Sequence, residues 1–116
     1  MIALLRSSGA EFALVFGSRA RGTAGPSSDF DVGAWWAHDA PLPWELDLPA
    51  GVDVVDVNRV PLEVAGRIAC EGQLLFDDNP NERVHWVATT RKVWLDERYR
   101  FARSHREFLE AAARGR

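Results

Sequence analysis

The sequence has one cysteine, one methionine and one lysine in 116 residues. Cys70 alone cannot form an internal disulfide or a multi-cysteine metal site, which excludes a disulfide-stapled scaffold and a zinc ribbon. Any metal must then sit on oxygen ligands or on histidines, and His38, His85 and His105 are too scattered to suggest a cluster. Long apolar runs are also missing. Stretches such as residues 11–16 and 32–37 fall far short of the roughly 20 residues a bilayer span needs, and the N-terminus lacks the basic start and apolar core of a signal peptide. A cytoplasmic protein without membrane contact is expected. With nine glycines and six prolines, 47% hydrophobic and 27% charged residues, the composition is that of an ordinary globular chain, and its length favours a single domain over residues 1–116.

The charge is small in sum and uneven in place. Residues 1–80 carry 5 basic and 12 acidic side chains, a net of −7, whereas residues 81–116 carry 9 basic and 5 acidic, a net of +4. An acidic body with a basic tail points to an acidic partner for the tail, although the same arginines would also serve as the solvated side of a helix. Thirteen of the fourteen basic residues are arginine, which reflects genomic base composition more than chemistry.

Turn and periodicity signals divide the chain. Residues 2–8 suit a short helix ended by Gly9, residues 12–16 a strand stopped by Gly17, and residues 17–28 (GSRARGTAGPSS) a loop. Residues 29–36 read as a second strand on which Asp29 and Asp31 share one face. A proline-rich connection over 38–50, with one turn near Trp44, precedes a third strand at 52–57. The spacing of Leu62, Ala65, Ile68 and Ala69 predicts a helix ended by Gly72 as a C′ glycine, and residues 73–76 a short strand. Asn79-Pro80-Asn81-Glu82 has the order of cap, first-turn proline and third-position glutamate that opens a helix. That helix is predicted to reach about Ala112, with Val87, Trp94, Phe101 and Phe108 as its buried stripe.

The chemistry concentrates in Gly17-Ser18 followed, after ten residues, by Asp29-Phe30-Asp31, with Asp53 on a later strand. A Gly-Ser turn directly after a strand lets backbone N–H groups and a hydroxyl approach an anion, as phosphate cradles require. Two carboxylates about 7 Å apart on one strand face, joined by a third from a neighbouring strand, can share a pair of hard cations of the kind that serves phosphoryl transfer. An Asp-x-Asp alone is common by chance; the Gly-Ser spacing is what gives it weight. Asp53 and Asp56 have opposite parity, so one of them at most can join Asp29 and Asp31, and the other is then solvent-facing or structural. Trp35 shares the parity of the aspartates and could flank a nucleotide, but packing is favoured. Arg100 and His105 have the spacing of an R-x4-H ribonuclease motif, for which chance in an arginine-rich helix is the better account.

The stretch FGSRARGTAGPSSDFDVG, with the later VDVVDVNRV, resembles the signature of the minimal nucleotidyltransferase (MNT) branch of the DNA polymerase β-like superfamily, and the likeness covers nearly the whole chain. It implies an α/β (α+β) nucleotidyltransferase fold: a small mixed sheet backed by helices, with a long C-terminal helix. It also implies that Gly17 and Ser18 hold the terminal phosphates and Arg21 a phosphate oxygen. Asp29, Asp31 and Asp53 would bind magnesium, two ions in all, and Asp53 would help to deprotonate the attacking hydroxyl. Such proteins are similar to the antitoxin half of HEPN/MNT toxin–antitoxin pairs, which move AMP from ATP to a tyrosine of a HEPN toxin. Magnesium, ATP and a HEPN-type partner are thus the expected cofactor, nucleotide and protein, in a homo- or hetero-oligomer, with no direct nucleic-acid binding. The alternatives are a catalytically silent antitoxin, and a transferase acting on a small molecule or RNA held by a separate subunit.

Overall fold

The computed structural model describes residues 1–17 and 30–115. Helix α1 (Ile2–Ser7) passes through Gly9, at φ +98°, into strand β1 (Ala10–Phe16). Strand β2 (Phe30–Trp36), a 3-10 turn at Pro43–Glu45 and strand β3 (Val52–Asp56) follow, then helix α2 (Leu62–Glu71), strand β4 (Gln73–Asp77) and helix α3 (Pro80–Arg114). Among the described residues the strands form one sheet in the order β3-β2-β1-β4, antiparallel except for the β2–β3 pair. The mixed sheet with a long C-terminal helix is the architecture expected from the sequence.

Apolar alternation gives the sheet two covered faces. One packs Leu5 of α1 against Ala13, Val32, Ala34, Trp36 and Phe76, with Ala40 and Leu46 from the 37–51 connection completing the layer. A parallel pair needs a crossover of a dozen or more residues, and this connection supplies it while covering that face. The buried Trp36 indole donates to the Ser8 hydroxyl at 3.1 Å, which offsets the cost of removing its N–H from water. The other face joins Phe12 and Leu14 to Ile68 of α2, with Trp35 and Trp86 around them.

A bulge in β1 makes both faces possible. Ala10 pairs with Trp36 and Phe12 with Trp35, so two steps of β1 oppose one of β2, and the parity of β1 reverses at Glu11. Ala10 therefore joins Trp36 on the α1 face, while Phe12 stacks on Trp35 on the other, with ring centroids 5.4 Å apart.

Helix α2 begins and ends as the spacing predicts, but Gly72 is not a left-handed C′ residue. Its backbone is extended at φ −66° and ψ 146°, and its N–H donates to the Ile68 carbonyl at 2.8 Å. Glycine is required here by proximity: a Cβ would fall 2.4 Å from that carbonyl oxygen. At the start of α3 the Asn79 side chain accepts the Glu82 N–H at 3.3 Å, as the cap sequence predicts.

The predicted burial of α3 holds over only part of its length. Val87 and Trp94 are partly covered, Trp86 packs under the sheet, and Arg91 Nε donates to the Ala69 carbonyl at the end of α2 at 2.6 Å. Trp94 lies directly over Gly66, where a Cβ would come within 2.2 Å of the ring. Beyond this point α2 ends and α3 continues, so Phe101 and Phe108, expected in the core, are 72% and 68% exposed. The seven-residue spacing was a sound reading of one helix face; the covering element is too short to bury all of it. No helix among the described residues is long and apolar enough to cross a membrane.

Candidate active site

Strand β1 ends at Phe16, whose partner on β2 is Asp31. Gly17 follows at φ +77°, a left-handed conformation that favours glycine, and an added Cβ would stand 2.8 Å from Asp31 Oδ2. The carboxylate of Asp31 is therefore seated against the turn that leaves β1. On its other side Asp31 pairs in register with Asp53 of the parallel strand β3. Residues paired across neighbouring strands point to the same side of the sheet, and adjacent strands lie about 4.8 Å apart. Asp31 and Asp53 thus stand side by side on the face shared with Gly33, Trp35 and Val55, at the end of the sheet where β1 stops.

Of the residues singled out from the sequence, the fold brings together Gly17, Asp31 and Asp53; Ser18, Arg21 and Asp29 lie outside the described residues. Among the described residues no group of three or more His, Cys, Asp or Glu side chains is placed to hold a metal ion. Two carboxylates on one face offer hard oxygen donors suited to magnesium, which needs only one or two protein carboxylates and completes its shell with water and phosphate oxygens. The donor set fits that ion in kind.

Asp56 has other work. Its Oδ1 accepts the Asn58 N–H at 2.9 Å, closing the turn that leaves β3, and its Oδ2 lies 3.7 Å from Arg59 Nε. It pairs with Ala34, on the opposite face from Asp31 and Asp53. Trp35 packs on Phe12 within the apolar layer.

Two clefts were not visible in the sequence. One, of about 250 Å³, runs along the outer edge of β3 and is lined by Pro43, Leu46, Leu48, Val52, Asp53 and Val54. The other, of about 470 Å³, lies between α2 and α3 among Glu63, Arg67, Cys70, Glu71, Trp94 and Arg98. Both depend on how a connection or helix folds back, which local residue patterns do not encode. The prolines of the 38–50 segment were the available signal for the first.

The family model described as "Polymerase beta, Nucleotidyltransferase" matches residues 2–81. No curated protein sequence matches the chain. Among solved structures, a toxin–antitoxin complex with AMP-PNP is similar with a TM-score of 0.70 at 21% identity, over 97% of this chain and 94% of that one. The toxin–antitoxin MntA–HepT gives 0.63 at 19% identity, covering 97% and 92%. A tri-AMPylated Shewanella oneidensis HEPN toxin in complex with its MNT antitoxin gives 0.63 at 19%, covering 97% and 91%. At these identities the likeness is one of fold, and it extends through α3. The family match carries the assignment: with residues 2–81 matched, strand, glycine turn and paired carboxylate strands together, this chain belongs to the polymerase β nucleotidyltransferase family.

Proposed function

We propose that this chain is a magnesium-dependent nucleotidyltransferase that moves AMP from ATP to a tyrosine hydroxyl of a HEPN-type toxin, and so acts as its antitoxin. The observation that carries the reading is the in-register pair Asp31–Asp53 beside the Gly17 turn, in a chain of this family. Solved relatives in fold, one with AMP-PNP and one with an AMPylated HEPN toxin, support the choice of nucleotide and acceptor.

In this reading Asp29, Asp31 and Asp53 hold magnesium, which when bound offsets the charge of the triphosphate and of the oxygens that gain charge during transfer. The chain's own residues orient the reactants. Gly17 and Ser18 approach the terminal phosphates with backbone N–H and hydroxyl, Arg21 pairs with a phosphate oxygen, and Asp53 accepts the proton of the attacking hydroxyl. That oxygen forms its bond to the α-phosphorus as the bond to the bridging oxygen breaks, and pyrophosphate leaves.

Incorporation of labelled AMP into a co-purified HEPN partner tests the proposal. Asp31→Asn should lower labelling by roughly 100-fold or more, with an unchanged or slightly raised Tm because a source of carboxylate repulsion is removed. Undiminished labelling by this variant would overturn the site. A partner that binds and is silenced without ever being labelled would show neutralisation by contact alone.

A further inference from the structure

Among the described residues β3 has a neighbouring strand on one side only, β2. The Phe30 N–H donates to the Gly51 carbonyl at 2.7 Å, and the Val57 N–H to the Ala34 carbonyl at 3.0 Å. Successive peptide groups of a strand alternate in direction, so with Phe30 opposite Val52 and Ala34 opposite Asp56 the odd-numbered residues of this strand bond β2. Val52, Val54 and Asp56 therefore turn their N–H and C=O groups outward. Turns close both ends of that row. The Val52 N–H donates to the Pro49 carbonyl at 3.2 Å, and the Asp56 carbonyl accepts the Arg59 and Val60 N–H groups at 3.0 and 3.2 Å. Between these turns the Val52 C=O, both groups of Val54 and the Asp56 N–H have no partner among the described residues.

Apolar clefts follow the same edge. Val52 and Val54 pack toward the α1 face and Asp53 points to the other, so a cleft that touches all three lies at the edge and not on either face. It shares Pro43, Leu46 and Val54 with a second cleft of about 200 Å³ that continues to Asp56 and Arg59. A bare row of strand donors and acceptors is a template for another strand. A chain laid along it at the usual strand spacing of about 4.8 Å presents the residue opposite Asp53 on the face that Asp31 and Asp53 share. The residues on either side of that one point the opposite way, over Pro43 and Leu46.

We propose that the free edge of β3 binds the acceptor protein as an extended segment, added to the four-stranded sheet with a tyrosine opposite Asp53 and apolar residues flanking it. The inference rests on the reading above, in which Asp53 takes the proton of that hydroxyl. Asp53 identifies the occupant, because a chain paired at this edge delivers its side chain to the carboxylate that needs it. Main-chain hydrogen bonds supply the affinity, and the alternation of hydroxyl and apolar side chains supplies the selectivity.

The probe is the peptide Lys-Val-Thr-Val-Tyr-Val-Lys carrying fluorescein at its N-terminus, with two variants, one N-methylated at the tyrosine and one at the valine before it. Successive N–H groups of a strand point to opposite edges, so only one of the two methyl groups falls between the strands. Binding to the full chain is read by fluorescence anisotropy. The parent peptide should bind with a Kd on the order of 100 μM, and the two methylated forms should differ by about 10-fold or more, whichever way the strand runs. Val54→Pro removes an outward N–H and no bond to β2, a change that edge strands tolerate. It should weaken peptide binding and raise the KM for a co-purified HEPN partner, each by about 10-fold, while magnesium with ATP raises its Tm as it does that of the wild type. Equal affinity for the two methylated peptides, or no binding of the parent, would overturn the proposal. Partner labelling by Val54→Pro at the wild-type KM would also overturn it and leave the transfer reading standing. Methyl discrimination in a wild type that never labels its partner would instead support the edge and end the transfer reading. A concentration-dependent dimer in sedimentation that disappears in Val54→Pro would overturn the proposal in favour of a second copy.

Discussion

Gly17 and Gly51 both have positive φ, at +77° and +82°, yet they answer to different constraints. A side chain at Gly51 would meet nothing within 4 Å, whereas one at Gly17 would strike the Asp31 carboxylate. Alanine at either position incurs the left-handed backbone cost of about 1–2 kcal/mol. Only Gly17→Ala should also displace a site carboxylate. Thermal melts of the two variants should therefore show comparable losses, while labelling by Gly17→Ala falls at least about 10-fold below that of Gly51→Ala. Equal labelling would mean that the position of Asp31 is not critical. Gly17 and Asp31 stand out in the sequence through the Gly-Ser and Asp-x-Asp spacing, and the fold brings these two together with Asp53. The contact between Gly17 and Asp31 was not legible there, because it depends on the register of β1 with β2, which the bulge at Glu11 shifts.

At the scale of elements, two junctions fix the helices on the sheet. The first is the crossing of α2 and α3 at Gly66, where Trp94 occupies the space a Cβ would need. Gly66→Ala gains helix propensity of about 1 kcal/mol but forces the indole outward, and overpacking of this kind costs roughly 1–3 kcal/mol. The net expectation is a lower Tm, with a blue-to-red shift of tryptophan emission as Trp94 is pushed toward water; a raised Tm would show that the ring moves freely.

The second junction is between α1 and the end of β4. Arg6 Nε and Nη2 donate to Asp78 Oδ2 and Oδ1 at 2.8 and 2.9 Å, and the same guanidinium lies over Phe76 at 5.0 Å. The hydrogen bond from Arg6, with its charge in addition, holds the Asp78 carboxyl below the usual carboxylate range, and raises Arg6 in turn. Because the folded chain lowers the Asp78 pKa, the pair stabilises fully above the ordinary carboxylate pKa of about 4 and loses its effect as pH falls through the folded value. Both side chains are about half exposed, so the contribution is modest. Asp78→Asn should melt slightly below the wild type near pH 7, and the two curves should converge on acidification below about pH 4. A gap that persists undiminished in acid would assign the effect to packing instead. Most element boundaries could be read from caps and periodicity. The extent of burial on α3 could not, because a seven-residue repeat looks the same whether the opposing helix has three turns or six.

The whole molecule is elongated, 61 × 34 × 24 Å, with a radius of gyration of 17.5 Å where a compact chain of this length would have about 13 Å. The excess is α3: 35 residues at about 1.5 Å each give a rod of roughly 52 Å, and the sheet and α2 support only its first part. The division also follows charge, with the acidic half of the sequence in the sheet and the basic half on the rod. An isolated helix of the length of residues 96–114 is marginal in water because its first turn is costly to form. Here the docked half has already formed that turn, so the free half grows from a template and melts from its far end. Amide hydrogen exchange should therefore be graded along one continuous helix: slow near Trp86 and Arg91, progressively faster past Leu95, and fastest at the C-terminus. Uniform protection through Arg114 would mean that something covers the rod in solution. A partner seated on it would be recorded as slowed exchange spreading outward from Trp94, which maps the length of the contact one peptide group at a time.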